Sequence, residues 1–194
     1  MTDPQLDHLV YAVPDLAVAT AAFADRYGVQ PVPGGRHEGK GTRNYLVGLG
    51  GSAYLEIIGP DPESDSPPTW FEIAALTEPK LVDWAIRPAD LDATVANARA
   101  AGYDPGEVES MSRLTTDGTV LAWRLTPPRG ALVPFLIDWG TTSHPTTSGL
   151  PEVELVSFHA EHPDVAAISR DLAAVGARLD VRTGPNPGLY ARFR

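Results

Sequence analysis

The chain has no cysteine. Disulfides, thiolate metal sites and cysteine nucleophiles are thereby excluded. Positive charge is scarce too. Lysines and arginines number 15 against 25 aspartates and glutamates, for a formal net charge of -10 and an isoelectric point near 4.8. Nucleic acids and anionic membranes are bound through a basic face, so neither is expected as a partner. Lys40 and Lys80 are the only lysines; the remaining cations are arginines, which suit bidentate contacts to carboxylates. No apolar run reaches the roughly 18 residues of a membrane-spanning helix. The opening MTDPQLDHLVYAV lacks the basic start, long apolar stretch and cleavage site of a secretory signal. A cytoplasmic protein is the expectation.

What is present is enough for a real core: 194 residues, 43% of them hydrophobic, one large domain or two small ones. The 18 glycines and 19 prolines fall between patterned segments, where they mark turns. Those segments repeat. LDHLVYAV at 6–13 leads through Pro14-Asp15-Leu16 into an alanine-rich stretch ending near Gly28. LVDWAIRP at 81–88 leads through Ala89-Asp90-Leu91 into DATVANARAAG, ending at Gly102. Each reads as strand, aspartate N-cap, helix and glycine stop. A third copy starts at VELVSFHAEHPD, 153–164, with a helix over about 164–175.

After each of the first two helices come three strand-like runs. They fall at 32–38, 42–49 and 52–59, and again at 107–114, 119–126 and 131–139. Gly39-Lys40-Gly41, Gly50-Gly51, Asp117-Gly118 and Pro127-Pro128-Arg129-Gly130 supply the turns. The predicted fold is α+β: β-α-β-β-β modules at 6–59 and 81–140, with mixed curved sheets facing a shared cleft, and an incomplete third module at 153–194. The 60–80 linker is Pro-rich and carries WFEIAAL, 70–76, as a short amphipathic helix. The third module ends one strand short, so LYARFR could pair with module two or with a second subunit, and a homodimer is plausible.

Paired β-α-β-β-β modules resemble the vicinal oxygen chelate superfamily of glyoxalase I, extradiol dioxygenases and bleomycin-resistance proteins. The runs LDHLVYAVPDL, GGRHEGKGTRN, YLEIIG, MSR, DGT, WRL and PFLIDWG look more narrowly like the glyoxalase-like domain subgroup. The likeness covers residues 6–140 well and 153–194 more loosely. It implies a cleft that takes a small oxygen-rich or aromatic molecule, often chelated on a divalent metal. It also implies chemistry of the lyase, isomerase or dioxygenase type.

Strand alternation puts His8 on one face with Leu6, Val10 and Ala12, and Glu56 on one face with Tyr54 and Ile58. Both match positions where the superfamily places a metal-binding His and Glu, so they are the candidate catalytic pair. His37 would complete a set of two histidines and one carboxylate, which suits Fe, Mn, Ni or Zn. Read without the resemblance, His8 is a hydrogen-bonded core histidine, Glu56 an ion-pair partner of Arg43, and His37 a loop residue. The second module departs from the pattern. Trp84 stands where His8 would, by the Asp7/Asp83 match, as cleft wall or core aromatic. Only Asp138 could stand in for Glu56, and a one-residue phase slip would turn it away.

Arg43, Asn44, Trp84, Arg113 and Trp123 are candidate substrate contacts. Arginine serves a carboxylate and asparagine a carbonyl, and alternation opposes Trp123 to Arg124. His144 is read as a loop residue, and His159/His162 as a strand end and a helix entry. No phosphate loop and no nucleophile elbow is present. Two functions remain open: a metal-dependent glyoxalase-like enzyme, or a metal-free protein that binds or sequesters a small molecule on Trp84, Trp123 and Trp139.

Overall fold

A computed structural model describes residues 5–115, 118–129 and 132–194. The expected turn residues Asp117 and Gly130, the strand start at Ala131 and the first four residues lie outside that set. The first half runs β1 (Gln5–Ala12), α1 (Leu16–Tyr27), β2 (Val32–His37), β3 (Thr42–Gly48) and β4 (Tyr54–Pro60). The second runs β5 (Lys80–Arg87), α2 (Leu91–Ala100), β6 (Glu109–Leu114), β7 (Val120–Leu125) and β8 (Phe135–Asp138).

Local chemistry sets these elements. The carboxylates of Asp15 and Asp90 accept the N–H groups of Val18 and Ala93 at 3.0 and 2.9 Å, satisfying donors that a helix start leaves unpaired. Gly28 ends α1 in the left-handed region (φ 69°), its N–H returning to Ala24, a conformation that costs glycine little.

The eight strands close into one barrel in the order β1-β4-β3-β2-β6-β7-β8-β5. Two antiparallel seams join the halves. The long one is β1 with β5; the short one is β2 with β6, where Arg36 pairs with Leu114 and His37 with Arg113. The expected curved sheets thus meet at both edges, and the cleft between them is the barrel interior. Val10, Ala12, Ile58, Ala85, Trp123, Phe135 and Ile137 form an inner cluster. Leu9, Val13, Leu55, Ile57, Trp84 and Ile86 form the larger outer one, packed against the helices.

The remaining chain forms β9 (Leu155–His162), α3 (Val165–Ala174), β10 (Asp180–Thr183) and β11 (Gly188–Phe193), a separate three-stranded sheet in the order β10-β9-β11. LYARFR is therefore not left over. It pairs antiparallel with β9, inside its own unit, and the sheet packs on the barrel through Phe158 against Trp84, ring centroids 5.2 Å apart. WFEIAAL is not a full helix. Only Ile73–Ala75 make a 3-10 turn, because Phe71 and Glu72 both sit at positive φ (54° and 52°). Among the described residues no helix is long and apolar enough to cross a membrane.

Candidate functional site

Three strands of the first half aim polar side chains into the barrel. β1 supplies His8, β2 His37 and β4 Glu56, all nearly inaccessible to solvent. His8 Nε2 lies 3.7 Å from one carboxylate oxygen of Glu56, and His37 Nε2 lies 3.5 Å from the other. The second nitrogen of each ring is held from behind: His8 Nδ1 by Asp7 at 2.6 Å, His37 Nδ1 by the Thr42 hydroxyl at 3.0 Å. His8 is further clamped between the stacked ring of Tyr54 and the edge of Phe135. Asn44 donates its Nδ2 to Glu56 at 2.6 Å. Its close approach needs Gly34 on the neighbouring strand, where a Cβ would stand 2.3 Å from Asn44 Oδ1. Glu56 thus pairs with Asn44 and the histidines, not with Arg43.

The second half answers with Arg113 and an apolar wall. Arg113 is buried, donates to the Gly34 carbonyl across the short seam, and lines the same cavity as His8, His37, Asn44 and Glu56. Around it stand Trp123, Phe135, Ile137 and Trp139. Ile137 faces the interior, while Asp138 pairs in register with Arg124 and caps the Gly140 N–H. Arg124 itself points outward to Asp92. Trp70 and Phe71 roof the space, with a volume of about 40 Å³.

Two expected contacts lie elsewhere. Trp84 is on the outer face, donating its Nε1–H to the Leu132 carbonyl at 2.8 Å. His8 pairs with Ala85 and Leu9 with Trp84, so Ala85 takes the inward position that the Asp7/Asp83 match gave to Trp84. Arg43 also points away, within 3.8 Å of Asp61 and 3.5 Å of Glu63, which Arg36 shares. Leu6 leaves the face of His8 for the outer cluster, because a register shift between Leu6 and His8 breaks the alternation.

Asp7 is the residue that sequence reasoning used only as a register mark. It is fully buried and joins both halves: one oxygen takes His8, the other takes Trp139 Nε1–H at 3.0 Å and His144 Nε2 at 3.1 Å. Burial alone would raise its carboxyl, but the hydrogen bonds from His144 and His8 outweigh that and hold it well below the usual range. His8 shows the converse. Burial pulls it down, yet the bond to Asp7 and the charges of Asp7, Glu56 and Asp83 lift it above its ordinary value. Burial pushes His37 down to about 4, helped by Arg113 and His8 and opposed by Glu56. The site therefore holds one histidine that favours its proton and one that sheds it, on either side of one carboxylate.

The donor types suit a divalent cation: two imidazoles whose far nitrogens are oriented from behind, and one carboxylate. Their spacing does not yet close around one. Among the described residues no three of His, Asp and Glu are disposed to hold an ion, and Asn44 already engages one oxygen of Glu56.

The chain matches the family model described as "Glyoxalase-like domain" over residues 6–176, and it belongs to that family. No functionally curated protein is similar enough to be matched. A hypothetical protein from Staphylococcus aureus is similar in structure over nearly the whole chain, with a TM-score of 0.65 at 15% identity, covering 95% of this chain and 88% of that one; it shows the fold. Methylmalonyl-CoA epimerase from Mycobacterium tuberculosis is 25% identical over 68% of this chain and 84% of its own, with a TM-score of 0.46. The enzyme of that name from Streptomyces coelicolor is 22% identical over 74% of this chain and 100% of its own, with a TM-score of 0.47.

Proposed function

We propose that the protein is a glyoxalase-like enzyme that takes a small oxygen-rich molecule into the barrel and moves a proton on it. The observation that carries this reading is the convergence of His8, His37 and Glu56 from three strands, the histidines held from behind by Asp7 and Thr42. A buried carboxylate facing two imidazoles needs positive charge between them, and His8 supplies it as a proton. Arg113, buried in the same cavity, gives a fixed donor for a substrate oxygen, while Asn44 holds Glu56 in place. Glu56 takes a proton from a carbon beside that oxygen, protonated His8 donates one back to the substrate, and the proton held by Glu56 then passes to His8 across the 3.7 Å between them. Asp7 keeps His8 oriented and favours its charged form.

If His8, His37 and Glu56 drew closer than they stand here, they would hold a divalent metal, which would supply Lewis-acid polarisation of the same oxygen. The test is metal content of tag-free protein by plasma mass spectrometry, before and after incubation with Fe, Mn, Ni or Zn. Close to one ion per chain, lost in His8→Ala and Glu56→Ala, supports the metal-dependent form. No uptake by any of them removes the metal from the reading. Proton exchange in D₂O, followed by NMR on a panel of 2-hydroxy and 2-keto compounds, then tests the acid–base form. Exchange that survives Glu56→Gln would refute it. The second reading is a metal-free binding protein. It draws support from the apolar wall of Trp123, Phe135, Ile137 and Trp139, and it expects tryptophan quenching by a flat ligand without turnover.

A further inference from the structure

The inner cavity is not alone. A groove of about 560 Å³ opens on the other side of Trp70, Phe71 and Pro128, which line both spaces. It runs from the start of β5 along the loop that carries Arg129 and Leu132 to the third sheet, where His162, Ile168 and Leu189 close it. The inner cavity holds about 40 Å³, roughly the room for one or two waters. Trp70, Phe71 and Pro128 stand between this small space and the groove, so a larger molecule that enters from the groove displaces them.

Phe71 and its neighbour Glu72 both hold the left-handed backbone region, at φ 54° and 52°, which side chains other than glycine occupy under strain. The groove beyond is apolar along Leu81, Leu132, Ile168 and Leu189, and it collects Lys80, Arg129 and His162 against a single acid, Glu72. That is a local reversal of sign in a chain whose net charge is -10 and which has two lysines in all. The Nδ1 of His162 lies 3.0 Å from both the N–H and the carbonyl oxygen of Asp164, which fixes the ring at the edge of the groove.

We infer that the groove is the outer compartment of the ligand site and takes an apolar chain or ring ending in one anionic group, with the other end of the molecule passing Trp70 and Phe71 into the barrel. Lys80 and His162 meet the anion, and the leucines take the apolar part. The inference rests on the proposed function only for what the inner end undergoes. Occupancy of the groove is independent of it.

The experiment is a fluorescence titration of the full chain at pH 7 with 8-anilinonaphthalene-1-sulfonate, an apolar anion, and with neutral N-phenyl-1-naphthylamine. The expected result is saturable one-to-one binding of the anion, weakened about tenfold in Lys80→Glu and by a smaller factor in Lys80→Met and His162→Gln. The neutral probe should stay within about twofold throughout. Dodecanoate and dodecyl phosphate should displace the anion at concentrations where dodecanol does not. Equal affinity of the anion for the native chain and Lys80→Glu, or equal displacement by dodecanol, would overturn the inference. For the passage into the barrel, 12-bromododecanoate should quench tryptophan emission in Trp84→Phe as in the native chain, and less in Trp123→Phe. Undiminished quenching in Trp123→Phe would show that the ligand stops at the partition and would overturn that part. These titrations read binding alone and the exchange in D₂O reads turnover alone, so a failure of the proposed chemistry and a failure of the groove are read separately.

Discussion

The two halves of the barrel share one order of elements, strand, helix and three strands, yet they face their common interior with opposite chemistry. The first half presents His8, His37, Asn44 and Glu56; the second presents Trp123, Phe135 and Ile137, and adds the cation Arg113 to the cavity. At matching depth on their last strands stand Glu56 and Ile137, a carboxylate and a hydrocarbon. The backbone pattern tolerates either, because inward side chains alternate with outward ones on every strand. What differs is which half provides polar partners. Glu56 has Asn44 and two imidazoles within reach, whereas Ile137 sits among Trp123, Phe135 and Trp139.

The most damaging way to erase this contrast is Ile137→Glu, which buries a carboxylate on a wall without partners. We expect a loss of about 3–5 kcal/mol at neutral pH, read from urea denaturation and shrinking as acid protonates the new group. The mirror change, Glu56→Leu, leaves the Asn44 amide without its acceptor and should cost about 1–3 kcal/mol. Equal costs would mean that the two walls do not differ electrostatically.

Acid should expose the polar wall next. His37 is held near 4 in the folded chain against an ordinary 6.5, so between those values the unfolded chain binds a proton that the folded one refuses. Stability should therefore fall as pH drops through that window, by on the order of 3 kcal/mol, and His37→Gln should flatten the fall. His8 works in the other direction. Its raised value makes its contribution complete below 6.5 and lost only as pH rises through the folded value, so it adds nothing to the acid loss. Asp7, held low, keeps its contribution until pH falls below about 3.8. A native chain as stable at pH 4 as at 6.5 would contradict the burial of His37.

Smaller effects should mark the outer faces. Trp84→Phe removes the bond to Leu132 and should cost about 1 kcal/mol, with ligand binding in the cavity unchanged. Altered binding would return Trp84 to the wall. Arg43→Ala should stay within about 0.5 kcal/mol, because Arg36 still holds Asp61 and Glu63. Urea midpoints check both.

These outcomes track what the sequence made legible. The strand-cap-helix order was readable because Asp15 and Asp90 act within three residues of themselves, and Gly28 acts within four. The inward phase of Trp123 against Arg124 was readable because β7 alternates without interruption. The phase of β1 was not. The irregularity between Leu6 and His8 exists only in pairing with β5, some 80 residues away in the chain, and the same pairing puts Ala85, not Trp84, inside. His144 was opaque for a like reason. Nothing in TTSHPTTS points to Asp7, 137 positions earlier; only the closed fold brings them together. The one local hint was the Asp7-His8 dipeptide itself.

The short seam between β2 and β6 has a consequence of its own. His37 and Arg113 are partners in its register, and Arg113 also reaches back to Gly34 on the opposing strand. A molecule gripped by both residues would therefore act as a rivet between the halves, so affinity and cohesion become one quantity measured two ways. The amide protons of these two strands should then exchange fastest among the barrel strands when the interior is empty, and slow the most when it is filled.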